Sequence, residues 1–309
     1  MDHLNQRTVQ TRTSCTGVGL HSGAPIELTL VPARPNTGIV FVRTDLERPV
    51  EIPARSEYVV DTTMATTIGK DGVRIGTIEH LMSALAGLGI DNCRVELNGP
   101  EVPIMDGSAA PFVYLIRSAG IELQRDRKRF LVIRKPVTVR DGDKEATFLP
   151  APQFSVSFQI DFDHPLISNQ SFRMDFSDRV FDREICRART FGFYREVEML
   201  KKMGLAKGGS IENAIVIDDF SILNPDGLRF PDEFVRHKIL DSIGDVSLLG
   251  MPVIGHLVAH KSGHMLNHKL VTQVLADATC HEIVEVGEER ELERLDIRLP
   301  AWGVVEKVA

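Results

Sequence analysis

Short alternating runs of apolar and polar residues dominate the first hundred residues of this chain. Ile26-Glu-Leu-Thr-Leu-Val31, Gly38-Ile-Val-Phe-Val42 and Cys93-Arg-Val-Glu-Leu97 are alternating or β-branched and are bounded by Gly, Pro and Asn. Each predicts a strand with a face in a core. Thr77-Ile-Glu-His-Leu-Met-Ser-Ala-Leu-Ala-Gly-Leu88 instead has helical periodicity, with Thr77 as a cap and a glycine stop, and residues 108–119 predict a second helix. Strands, then helices, then strands again predict an α+β class rather than regular βαβ winding.

The charged run Gln124-Arg-Asp-Arg-Lys-Arg129 interrupts this pattern just before a new strand, Phe130-Leu-Val-Ile-Arg134. A domain break near residue 127 is therefore expected, giving an N-terminal α+β domain at 1–126 and a C-terminal one at 127–309. The second half repeats the style, with strands over 130–163, a mobile middle at 164–190 and then a long helix. A short echo links Glu79-His80-Leu-Met-Ser-Ala-Leu to Arg236-His237-Lys-Ile-Leu-Asp-Ser-Ile and hints at two similarly built halves.

That long helix carries the first chemical signal. Glu233, His237, Asp241 and Asp245 recur every four residues and so form one polar stripe, while Val235, Ile239, Ser242, Val246 and Leu249 form an apolar face. An imidazole and a carboxylate one turn apart can grip one Zn²⁺ and leave room for a third ligand and a water. The alternative is the wet side of an amphipathic helix, which is the commoner origin of such pairs. Glu79-His80 opens another helix; adjacent residues diverge by about 100°, which suits one ligand plus one base. A glutamate favoured by the helix dipole is the competing reading. His256, His260, His264 and His268 also recur every four residues, but Pro252, Gly255 and Gly263 rule out one continuous helix. A strand around 253–258 ending at a Lys261-Ser-Gly263 turn leaves His264 best placed to reach a cleft.

Composition narrows the classes further. The 309 residues are 43% hydrophobic and 26% charged, as expected of a folded protein of enzyme size. A net charge of -7 argues against a general nucleic-acid binder. Cys15, Cys93, Cys186 and Cys280 form no CxxC pair, which fits a reducing cytosol better than disulfides. The polar N-terminus lacks the order of a signal peptide, and the apolar tract at 246–259 is short and broken by Gly250, Pro252, Gly255 and His256. A cytoplasmic protein with no membrane span is expected.

Six separated strings resemble the UDP-3-O-acyl-N-acetylglucosamine deacetylases of lipid A synthesis. They are Thr16-Gly-Val-Gly-Leu-His-Ser-Gly23, Thr77-Ile-Glu-His-Leu81, Val102-Pro-Ile-Met-Asp-Gly-Ser108, Arg189-Thr-Phe-Gly-Phe193, the stretch from Glu233 to Asp245, and Lys261-Ser-Gly-His264. They stand in the family's order and span nearly the whole chain. The resemblance implies a Zn²⁺-dependent amidase, one ion per chain, with its active site between two similar domains. It matches His80, His237 and Asp241 to the metal ligands and Glu79 to the general base. His264 matches the acid that protonates the departing amine, Asp245 the residue that orients it, and Thr190 the hydroxyl that stabilises the oxyanion.

For the substrate, the resemblance points to Lys238 and to Lys261, the latter toward the pyrophosphate. Phe191 and Gly192 match the loop on the glucosamine, and Phe162 either stacks on the uracil or is a core aromatic. An insert at 189–216 would form an acyl-chain passage with Tyr194, Val197, Ala206, Ser210 and Val216 at passage positions; a surface hairpin with its own small core is the alternative. His21 is expected near the active-site mouth in a glycine-rich turn, Val102 to Ser108 as architecture with Asp106 or Ser108 as a cap, and Glu233 as a solvated helix position. The implied reaction is hydrolysis of the 2-acetamido group of a UDP-linked, 3-O-acylated glucosamine, the committed step of lipid A biosynthesis, by a monomer with no partner beyond this small molecule. A non-catalytic nucleotide-sugar or acyl-chain sensor, or a zinc amidase for another N-acetylated sugar, are the alternatives.

Overall fold

In the computed structural model, which describes residues 4–303, the alternating runs become strands and the 3.6-residue patterns become helices. The first half runs β1 (Asn5–Val9), β2 (Thr13–Val18), β3 (Pro25–Pro32), β4 (Ile39–Arg43), β5 (Val50–Pro53), β6 (Val59–Asp61), β7 (Thr67–Lys70), β8 (Val73–Ile75), α1 (Glu79–Gly87), β9 (Cys93–Leu97), α2 (Ala110–Ala119) and β10 (Ile121–Arg127). The second runs β11 (Arg129–Ile133), β12 (Val137–Asp141), β13 (Lys144–Leu149), β14 (Ser155–Ile160), β15 (Gln170–Asp175), α3 (Asp178–Val180), β16 (Phe191–Phe193), α4 (Tyr194–Lys202), β17 (Ile215–Ile217), α5 (Glu233–Val246), β18 (Val253–Ile254), β19 (His256–His260), α6 (His264–Ala276), β20 (His281–Glu285) and α7 (Glu289–Leu295).

The two halves share one wiring. Each has a five-stranded sheet, ordered β2-β3-β9-β4-β5 and β12-β13-β19-β14-β15. In both, the central strand enters last, after a helix, and pairs antiparallel with one neighbour and parallel with the other. The first and last strands of each half also pair antiparallel, β1 with β10 and β11 with β20. The expected α+β class with two similar halves is borne out. What differs is the insertion ahead of the central helix: the small sheet β6-β7-β8 in the first half, and the parallel β16-β17 pair with α4 in the second.

Alternation explains the sheet faces. Ile26, Leu28 and Leu30 of β3 and Cys93, Val95 and Leu97 of β9 are all buried, on one side of the pleat. On the other half, α5 packs against β14 and β15, and α6 covers β12 and β13. The helices α1 and α5 meet face to face, and Gly244 sets how close they come. A Cβ at Gly244 would lie 2.1 Å from the carbonyl oxygen of Glu79. Gly244→Ala is expected to force the helices apart and cost about 1–3 kcal/mol of stability, as overpacking does. A lowered thermal midpoint in differential scanning calorimetry checks this.

Some sequence expectations need correction. Most of the charged run at 124–129 is the end of β10, and the fully buried Lys128 ammonium donates to the Gly89 carbonyl and to Asp91 and lies 4.7 Å from the Trp302 ring centroid. Burial of an ammonium is tolerated here because these groups replace its water. The middle at 164–190, expected to be mobile, holds β15, a π turn at Phe181–Ile185 and the buried Ile167, Phe181, Ile185 and Ala188. Thr77 does not cap α1; it has φ 56° and its hydroxyl donates to Glu101. Asp106 and Ser108 make a turn ahead of α2: Ser108 donates to Asp106 and accepts from the Ala110 N–H, while the helix cap itself is Ala109.

Candidate metal centre and active site

The first turn of α1 and the buried face of α5 meet at the helix crossing. His80 Nε2 lies 3.6 Å and His237 Nε2 3.2 Å from the same Asp241 oxygen, Oδ1. The two imidazole rings stand edge to face at 5.0 Å. All three side chains are buried, with ligand atoms within 4.8 Å of one another. The stripe on α5 is therefore not the wet side of a helix.

The donor set suits a divalent cation. Asp241 Oδ1 is buried and accepts no hydrogen bond, an unusual state for a carboxylate oxygen unless a cation completes it. His237 Nδ1 donates to the Ala188 carbonyl at 3.0 Å, which leaves the Nε2 lone pair facing Asp241. Burial pushes the His237 imidazole down to about 4, so it stays neutral at pH 7. Burial opposes the charge of Asp241, but His237 and the Lys238 ammonium, 3.1 Å from Oδ2, hold its carboxyl well below the usual range. An ionised carboxylate and two imidazoles are what a tetrahedral zinc site with one open position uses.

Glu79 and His264 face each other beside this cluster. His264 Nε2 is 3.8 Å from Glu79 Oε1, and His264 Nδ1 is 3.0 Å from Asp245 Oδ2. Burial raises the Glu79 carboxyl above its ordinary value, against the pull of His264 and His80. Burial alone would strip the proton from His264, but the Asp245 and Glu79 carboxylates outweigh it and hold the imidazole up to about 9. A proton acceptor and a proton donor are thus held side by side.

Thr190 belongs to the loop entering β16. Its N–H donates to the Gly107 carbonyl and its own carbonyl accepts from Ile215, both at 2.8 Å. Gly107 has φ +85°, and a Cβ there would sit 2.2 Å from the Asn213 carbonyl oxygen, so the Val102 to Ser108 string backs the Thr190 loop as architecture. Phe191 packs its ring against Phe234 at 5.0 Å and beside His237 at 6.4 Å. Gly192 pairs with Val216, and a side chain there would meet open space.

Glu233 is where the sequence reading fails. It is fully buried, and its carboxylate accepts from the Arg189 N–H, from Arg189 Nε and Nη2, and from the Arg229 N–H at 2.6–3.1 Å. The pair ties the loop that carries Ala188 and Thr190 to the start of α5. Arg189 and Glu233 are 44 positions apart, so helical spacing held no sign of it.

Lys261 lies in a surface cleft with Asp161, Phe162, Asp163, His164, Pro165 and Ser168. Its ammonium pairs with Asp143 and Asp161 at 2.9 and 3.2 Å. Phe162 follows β14, half-buried, with its ring 5.8 Å from Phe191 and 5.9 Å from Phe193. Tyr194 and Ser210 are exposed, and Val197, Ala206 and Val216 half-buried, on the β16-α4-β17 segment. His21 sits in the turn whose N–H groups, with that of Ser22, are held by Glu101. Two polar residues at the centre escaped sequence reasoning: Asn267, which donates to Asp245 at 2.8 Å, and Thr66. Asn267 lies one helical turn after His264, a spacing that would have found it.

Among the described residues no helix is long and apolar enough to cross a membrane. A family profile described as LpxC, UDP-3-O-acyl N-acetylglycosamine deacetylase, matches residues 6–276. The chain is 68% identical over 293 residues to the UDP-3-O-acyl-N-acetylglucosamine deacetylase of Myxococcus xanthus (strain DK1622), covering 95% of this chain and 93% of that protein. It is 59% identical over 306 residues to the protein of the same name from Anaeromyxobacter dehalogenans (strain 2CP-C), covering 99% of each. For that of Hahella chejuensis (strain KCTC 2396) the figures are 57% over 283 residues, 91% of this chain and 94% of that protein. The match takes in both halves and every residue of the helix crossing, and it places the chain in the UDP-3-O-acyl N-acetylglycosamine deacetylase family.

Proposed function

We infer that this chain hydrolyses the N-acetyl group of UDP-3-O-(3-hydroxyacyl)-N-acetylglucosamine, releasing acetate in the committed step of lipid A biosynthesis. The observation that carries this is the meeting of His80, His237 and Asp241 beside the Glu79–His264 pair. His80, His237 and Asp241 would hold one Zn²⁺. Bound there, the ion supplies Lewis acidity, which makes hydroxide available near pH 7 and polarises an amide carbonyl.

The chain's own groups do the proton work. Glu79 takes a proton from the attacking water, and the Thr190 hydroxyl donates to the carbonyl oxygen as it gains charge. His264, held by Asp245, gives its proton to the amine nitrogen as the C–N bond breaks, leaving acetate and the free amine. Lys238, Phe191 and Gly192 border the sugar, Lys261 meets the pyrophosphate and Phe162 the uracil. Tyr194, Val197, Ala206, Ser210 and Val216 line the path of the acyl chain. The repeated wiring supports two domains, 1–126 and 127–309, with the site between them. A nucleotide-linked substrate fits a cytoplasmic enzyme.

Acetate release from this substrate, measured with metal content on the same sample, tests the reading. Absence of turnover by metal-loaded protein would overturn it. The pH profile has a defined sign. Glu79 must be deprotonated and His264 protonated, so kcat/KM is expected to rise as Glu79 titrates, above the ordinary carboxylate range, and to fall as pH passes about 9. His264→Gln should abolish the alkaline fall, seen in initial rates from pH 5 to 10.

A further inference from the structure

Thr66 precedes β7 in the small sheet of the first half and is 1% exposed. Its N–H donates to Glu79 Oε2 at 3.0 Å, and its hydroxyl donates to Asp245 Oδ1 at 2.6 Å. The remaining oxygen of each carboxylate turns toward His264: Glu79 Oε1 is 3.8 Å from Nε2, and Asp245 Oδ2 is 3.0 Å from Nδ1. One residue from the first half therefore sets the rotation of both carboxylates that flank the histidine.

A carboxylate pivots easily about its terminal bond, because that torsion is broad. Asp245 is kept from pivoting by Thr66 on Oδ1 and Asn267 on Oδ2, and Asn267 is itself fixed by Ser262 at 2.7 Å and Ser242 at 3.2 Å. Asp245 sets the plane of the His264 ring, so the direction of Nε2 depends on both anchors. Removing the Thr66 hydroxyl leaves a buried carboxylate oxygen without that donor and frees the ring to turn away.

We propose that Thr66 is a positioning residue for the acid–base pair: it locks Glu79 and Asp245 in the rotations that aim them at His264. The proposal rests on the catalytic reading of Glu79 and His264. Its backbone role is separable from its hydroxyl, because the Thr66 carbonyl accepts from Ile78 and its N–H serves Glu79 whatever the side chain. Thr66→Val keeps the shape and both backbone bonds and deletes only the hydroxyl.

With the full, zinc-loaded chain and UDP-3-O-acyl-N-acetylglucosamine, Thr66→Val is expected to lower kcat roughly 10- to 100-fold, the range seen when partners that orient metal-site residues are lost. KM and metal content should stay at parental values, and Thr66→Ser should restore kcat to within about twofold. In an Asp245→Asn background, Thr66→Val should change kcat less than about twofold, since the hydroxyl acts through Asp245. Parental kcat in Thr66→Val, an effect confined to KM, or full additivity with Asp245→Asn would overturn the proposal. A readout that needs no turnover separates this from failure of the catalytic reading. In histidine-labelled protein the His264 Nδ1–H resonance should shift or broaden in Thr66→Val and return in Thr66→Ser. An unchanged resonance in Thr66→Val would overturn the positioning role even if the parent released no acetate.

Discussion

Glu79→Gln is expected to lower kcat for acetate release by about 10²–10⁴-fold, the usual weight of a positioned acid or base, with bound metal at the parental level. Glutamine keeps the length of the side chain, and its amide oxygen can still accept the Thr66 N–H that now meets Glu79 Oε2. It cannot take up a proton at neutral pH. Glu79 is 3% exposed, and burial disfavours its charge, so losing that charge should not lower the melting temperature. A collapse of turnover without a loss of stability or metal separates a chemical role from a structural one. Full turnover by this variant would remove Glu79 from the mechanism.

His237→Ala and Asp241→Asn are expected to lose the metal itself. Groups that merely orient a ligand change metal affinity by about 10–100-fold when removed, so losing a ligand should exceed the upper end of that range. Atomic spectroscopy after dialysis against a weak chelator should find well under one zinc per chain in either variant. Asp241→Asn is the more telling, because it keeps the shape and removes the charge that two imidazole nitrogens now face at 3.2 and 3.6 Å. Unchanged metal content would mean that the cluster is not the metal site.

The contrast between these residues and Glu233 shows what a sequence exposes. His237 and Asp241 are legible because both lie on one helix, where spacing alone fixes their neighbourhood. Glu233 shares the same stripe and differs only in its partner, Arg189, which approaches from another element. A buried, paired glutamate and a solvated one occupy the same helical position, so the pattern cannot tell them apart. Thr66 fails for a different reason: it is one threonine among several in a polar stretch, and its importance comes from two carboxylates, one of them 179 positions away. The fold divides likewise. Alternation located β3, β4 and β9, but the placing of β9 between β3 and β4 depends on long-range pairing. The repeated wiring shows in the sequence only as a second run of strands followed by a helix and as the short echo between the two helix motifs.

Gly244 ties the chemistry to the mechanics of the chain. Because the helices touch there, one ligand from α1 and two from α5 fall within reach of a single ion. For an ion held by all three, occupancy and helix contact are linked quantities: whatever factor the contact adds to affinity, the ion returns to the contact. Chelation should then loosen the seam between the halves as well as silence the site, and a change that pries the seam apart should release the ion without touching a ligand. With the ion held by all three side chains, the crossing would act as a clasp and the cation as its pin.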